Sequence, residues 1–189
     1  MDGWAKLHAR WGKLPWRDLF EPAIYYAEQG LPVADIIHQY GKVAESTIES
    51  NPESRRVFLP DGKVPQFGQL FKNPDVAHAL TLVANDGESA FYKGEIARAI
   101  LRTSNAFGGT MTADDLEQYS AEWVDPISTA YRDWMVYELP PNGDGMAALE
   151  MLNIMERFAP DPAGPHSPGE THTRIEAMKL AYADVAAAI

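Results

Sequence analysis

The chain has 189 residues, 16 basic and 27 acidic, for a formal net charge of −11, with 46% apolar residues and no cysteine. That length and apolar content suit one domain with a real core and exclude wholesale disorder. The missing cysteine excludes a disulfide scaffold, a zinc-thiolate site, an iron–sulfur cluster and a cysteine nucleophile, while the acidic balance argues against nucleic acid, whose phosphates call for clustered Lys and Arg. Charge is uneven: residues 1–95 carry a balance of −3 and residues 96–189 one of −8. No stretch has the length of a signal-peptide apolar region or of a membrane span. Helix-like sequence begins by Trp4 and is still running at Ile189, which leads us to expect cut ends and one partial domain over 1–189.

Residues 4–11 read as a short helix ended by Gly12. Residues 15–29 open with Pro15, close at Gly30, and carry Leu19, Phe20, Ala23, Ile24 and Ala27 at helical spacing, with Pro22 expected to bend them. A third helix is predicted over 33–49, with Val33, Ile36, Ile37 and Tyr40 on one side. Residues 50–72 read as a loop with extended pieces, in which Asn51-Pro52 is turn chemistry. Asn73-Pro74 starts a helix near 74–85, and a further helix spans 88–104. Thr112-Ala113-Asp114-Asp115 resembles a capping box opening a helix through Tyr119.

Residues 127–131 and 134–139 read as two strands about an Arg132-Asp133 turn. Trp134 and Val136 face one way, and Met135, Tyr137 and Leu139 the other. Both faces are largely apolar, so this strand is expected to be covered on both sides and to belong to a larger sheet, some of it outside this chain. The helix over 146–158 is apolar nearly all round and reads as buried, 160–169 is a loop, and the last helix runs from 170 with Ile175, Met178, Tyr182, Val185 and Ile189 along one stripe.

No catalytic constellation emerges. Nucleophile-elbow, Walker A, Rossmann and HExxH motifs are absent. Asn142-Gly143-Asp144-Gly145 before a helix could offer amides to an anion, but Asp144 would repel it. His8, His38, His78, His166 and His172 show no metal-ligand spacing, and His172 reads as partly buried and hydrogen-bonded. Asp114 and Asp115 point apart and read as helix-start residues. Thr171, His172 and Thr173 are neighbours on one helix and do not face one another. No catalytic, cofactor-binding or metal-binding residue is assigned, and no cofactor is implied.

Several stretches together resemble the gamma-glutamyltranspeptidase (gamma-glutamyltransferase, glutathione hydrolase) family. They are WAKLHARWGKLPWRDLFEPAIYYAEQGLPV at 4–33, FYKGEIARAI at 91–100, GGTMTADDLEQY at 108–119, PISTAYRDWMVYELPPNGDGMAALEMLNIME at 126–156 and IEAMKLAYAD at 175–184, in the family's order. The resemblance implies an α+β, mostly helical chain, part of an N-terminal nucleophile hydrolase αββα sandwich, with a short strand pair near 127–139. It also implies a precursor that cuts itself in two, a partner small subunit whose N-terminal Thr attacks a gamma-glutamyl amide, and an acyl-enzyme passed to water or to an amino acid or peptide acceptor. This chain matches the middle and late large subunit, so the Thr nucleophile lies outside it, the gene product is expected to continue on both sides, and the 189 residues alone are expected to be inactive. Periplasmic or secreted members are common in the family; nothing here fixes the compartment.

Two departures stand out. Asp133 replaces the Gly frequent after Tyr-Arg at the hairpin, and Val185 follows Asp184 where the family commonly has Arg. Alongside a gamma-glutamyl enzyme working on glutathione-type donors, two other readings fit: an amidohydrolase or cephalosporin-acylase-like member of the family, and a non-catalytic helical module that binds a partner.

Overall fold

Asn51-Pro52 and Asn73-Pro74 both start helices. In each, the Asn side-chain oxygen accepts from the backbone N–H three residues on, Ser54 at 3.0 Å and Val76 at 3.1 Å, and Pro fills the first turn, where its missing N–H costs nothing. The computed structural model describes Met1–Ala188, divided into a first unit, Met1–Ala121, and a second that begins at Glu122.

The first unit runs α1 (Asp2–Trp11), a 3-10 turn (Arg17–Leu19), α2 (Glu21–Gln29), β1 (Leu31–Pro32), α3 (Asp35–Glu49), α4 (Pro52–Phe58), β2 (Leu70–Phe71), α5 (Pro74–Asp86), α6 (Ser89–Tyr92), α7 (Glu95–Ala106) and α8 (Ala113–Glu117). Four expectations are corrected. Pro22 does not bend a helix but sits in the first turn of α2, preceded by the 3-10 turn. The presumed loop 50–72 contains α4, because Asn51 caps rather than turns. The expected helix 88–104 is two helices, broken at Lys93-Gly94; a Cβ on Gly94 would lie 2.6 Å from the Ala90 carbonyl, so only Gly permits the break there. Finally, Ile36, Ile37 and Tyr40 of α3 are exposed, while Gly41, Ala44 and Ile48 carry its inner side.

Phe20, Val83, Ala84 and Ala90 form the centre of this unit, where α2 crosses α5 and α6, with Trp16, Ile24 and Leu80 packed around them. Trp16 anchors the 3-10 turn by donating its indole N–H to the Val83 carbonyl at 2.9 Å, and its ring centroid lies 4.9 Å from that of Phe20. Such aromatic pairs contribute about 1 kcal/mol beyond the area they bury. Gly30, at φ 98°, ends α2 as its sequence position foretold, with its N–H on Tyr26. At the other end of the unit, the nearly buried Asp2 carboxylate takes Lys6 at 2.9 Å and the Ala121 N–H at 2.6 Å. The Lys6 ammonium beside it holds Asp2 below the ordinary aspartate value.

The second unit contains β3 (Ile127–Tyr131), β4 (Trp134–Glu138), α9 (Gly145–Met155) and α10 (Pro168–Ala188). α9 lies between the antiparallel hairpin and α10. The α9–α10 contact is built on small residues: Ala177 and Ala181, one turn apart, are 0% exposed, and Ala147 of α9 is 1% exposed. This corrects the expected stripe on the last helix. Ile175, Met178 and Tyr182 are exposed, and the buried line is Ala177–Ala181, because alanines let two helices approach closely. Ile189 of that stripe lies outside the described residues. α9 is half-covered on most sides, with Ala147 and Leu149 its buried members.

Candidate functional site

The hairpin is where the second unit stops short of closing a core. Its register pairs Ile127 with Glu138, Thr129 with Val136 and Tyr131 with Trp134. With a period of two, these residues share one face. That face meets α9: Thr129 donates its hydroxyl to the Asn153 side-chain oxygen. Ser128, Ala130, Met135 and Tyr137 occupy the opposite face, which continues to Leu139. Here Met135 is 53%, Tyr137 62% and Leu139 71% exposed. The alternation read from sequence is present, but within this chain only one face is covered. A two-stranded sheet that leaves Met, Tyr and Leu side by side in water lacks the layer it was patterned for.

The hairpin is held to α9 at its turn. The residue in the left-handed region is Arg132 (φ 55°), not Asp133. Left-handed backbone costs a side-chain-bearing residue about 1 kcal/mol. The contacts of Arg132 offset that cost. Its N–H donates to Glu156 Oε2 at 2.9 Å, its Nη2 to the Phe158 carbonyl at 2.8 Å, and its guanidinium lies 5.1 Å from the Tyr131 ring centroid. At the other end, a Cβ on Gly145 would stand 2.8 Å from Glu138 Cβ and 3.0 Å from the Leu139 carbonyl, so Gly lets α9 start directly against β4.

The polar residues singled out from sequence serve structure rather than one shared centre. Thr112 and Asp115 form the capping box in full: the Asp115 N–H reaches the Thr112 hydroxyl at 3.4 Å, and Asp115 accepts from the Thr112 N–H at 2.7 Å. That N–H and the Thr112 hydroxyl hold Asp115 below its ordinary value. Asp144 precedes α9 without a side-chain cap. His8 contacts the Leu14 carbonyl, His38 the Pro65 carbonyl and His78 the Glu95 carboxylate. His172 is exposed, contrary to expectation, because its helix turns Thr173 and Arg174 inward instead. Thr173 donates to Gly169, one turn back. Among the described residues no group of three or more His, Cys, Asp or Glu could hold a metal ion.

Two polar features escaped the sequence reading. Ser167 is buried, donates to Asp161 Oδ2 at 2.6 Å and accepts from the Glu170 N–H at 3.1 Å, so it caps α10. The signal was legible: Ser167-Pro168-Gly169-Glu170 is a Ser-x-x-Glu start with Pro in the first turn. The Ser167 hydroxyl holds Asp161 below its ordinary value. The second is a carboxyl pair, Glu150 on α9 and Asp184 on α10, whose mutual hydrogen bond pushes Glu150 up. Nothing in a single sequence places those two together.

A family model described as gamma-glutamyltranspeptidase matches residues 1–189. The glutathione hydrolase-like YwrD proenzyme of Bacillus subtilis (strain 168) is 33% identical over 184 residues, covering 97% of this chain and 35% of that protein. Among solved structures, Helicobacter pylori gamma-glutamyltranspeptidase superposes with a TM-score of 0.87 at 28% identity, over 95% of this chain and 52% of that one. Cephalosporin acylase from Bacillus halodurans does so at 0.85 and 36%, over 96% and 34%. The chain therefore spans about a third of the length of the curated relatives it matches. The expected fold, α+β and mostly helical with a strand pair near 127–139, holds; the small β1–β2 pair was not foreseen.

Proposed function

Because the chain belongs to the gamma-glutamyltranspeptidase family, we propose that it is a scaffold segment of the large subunit of an enzyme that transfers or hydrolyses gamma-glutamyl groups. In this reading residues 1–189 are part of one larger domain, and the gene product continues on both sides. The small subunit supplies the N-terminal Thr nucleophile, with gamma-glutamyl compounds of the glutathione type as donors. The observation that carries this reading is the open apolar face of the hairpin, Met135, Tyr137 and Leu139, which calls for a covering layer. The 189 residues alone are inactive, because no activated nucleophile lies among them.

A second reading, an acylase acting on another amide, draws on the 36% identity to the cephalosporin acylase. Expression of the whole gene tests both. Two chains in the native product, with turnover of a gamma-glutamyl anilide that the 189-residue chain lacks, support the first reading. Two chains that cleave only other acyl amides favour the second. A single uncleaved product with no amidase activity leaves the non-catalytic binding module and overturns both.

A further inference from the structure

A groove of about 500 Å³ lies between α2 and α5, lined by Arg17, Glu21, Tyr25, Glu28, Thr81 and Asn85. Elsewhere in the unit charges are paired, as in Lys6–Asp2, Lys42–Glu45 and Arg56–Asp75. The side chains of Arg17, Glu21 and Glu28 take no ion pair or hydrogen bond among the described residues. They are ordered along one direction. Arg17 precedes Glu21 by about one turn, and Glu21 precedes Glu28 by seven helical residues, about 10 Å of helix rise.

We propose that this groove binds a short peptide with free termini, its carboxylate on Arg17 and its ammonium on Glu28. A simple anion would meet two carboxylates, and a simple cation would meet Arg17. A ligand with both charges at opposite ends satisfies both. An extended dipeptide spans about 7 Å, and the long Arg and Glu side chains close the rest. The guanidinium fork matches a carboxylate in two-point fashion. Glu21 keeps the middle of the groove unfavourable to a second anion. The Asn85 amide offers both a donor and an acceptor to the peptide group, and the exposed Tyr25 ring offers a wall to an apolar side chain. The groove is open to water, so binding is weak, with a Kd on the order of 1 mM. This site is separate from the hairpin and does not depend on the gamma-glutamyl reading.

The test titrates the 189-residue chain with Ala-Ala bearing free termini and with N-acetyl-Ala-Ala-amide, following amide and side-chain NMR signals. Saturable shifts at Tyr25 and Asn85 with the free dipeptide, and binding at least about tenfold weaker for the capped one, are expected. Arg17→Gln and Glu28→Gln should each weaken binding about fivefold or more, while Lys13→Gln leaves it unchanged; far-UV circular dichroism confirms that each variant is folded. Equal binding of the capped dipeptide, no saturation, or a loss confined to only one of the two charge variants would overturn the proposal.

Discussion

The backbone N–H of Arg132 donates to the Glu156 carboxylate at 2.9 Å, which fastens the hairpin turn to the end of α9. Charge-assisted bonds of this kind contribute about 1.5–3 kcal/mol when sheltered and less when half-exposed as here. Glu156→Ala should therefore lower stability by about 1 kcal/mol in urea denaturation. Arg132→Gly relieves the left-handed backbone but loses the Phe158 and Tyr131 contacts, so its net change should be the smaller of the two. A larger loss for Arg132→Gly than for Glu156→Ala would show that the guanidinium, not the turn N–H, holds the hairpin.

Capping separates two superficially similar residues. Thr112→Ala removes an exposed cap and should cost about 1 kcal/mol. Ser167→Ala removes a buried hydroxyl and also strips Asp161 of a donor, so it should cost about 2 kcal/mol. Thermal denaturation of both variants ranks them, and equal losses would contradict the buried cap.

The α9–α10 contact tolerates no added bulk. Ala181→Leu should destabilise by about 1–3 kcal/mol through overpacking, whereas the same change at the exposed neighbour Ala183 should fall within about 0.5 kcal/mol. Comparable effects at both positions would mean that the helices do not meet along Ala177 and Ala181.

Acid and base act on this chain in opposite directions at different carboxyls. Asp2, Asp115 and Asp161 are lowered in the fold, by Lys6, by the Thr112 N–H and by the Ser167 hydroxyl respectively. Their stabilisation is present above the unfolded value, about 3.9, and is lost as pH falls through their folded pKa values. Glu150 is raised by its bond to Asp184. Its stabilisation is full below about 4.3, the unfolded value, and is lost as pH rises through its folded pKa. Glu150→Gln, which keeps a hydrogen-bonding group without the charge, should raise Tm by about 1–2 °C at pH 7 and have no such effect at pH 4. An unchanged Tm at pH 7 would show that Glu150 and Asp184 do not oppose one another.

Local chemistry determined much of this protein from sequence alone. Thr112-x-x-Asp115 capped as read, Gly30 ended α2, Asn73-Pro74 started α5, and the period-two alternation of residues 134–139 assigned each side chain its face. Each outcome depends on groups within a few residues of one another, which a single sequence displays. The same local logic also misled: Asn51-Pro52 has the chemistry of Asn73-Pro74, yet its weakly apolar continuation concealed α4. Other features belong to tertiary structure. Ala177 and Ala181 are buried while larger residues on the same helix stay in water, because α9 comes close enough to prefer the smallest side chains. Arg132 occupies the left-handed turn because Glu156 and Phe158, 24 and 26 residues away, hold it there. Arg17 and Glu28 share a groove with Asn85 because α2 packs on α5. Such placements are set by which segments meet in space, and only the folded chain brings them together.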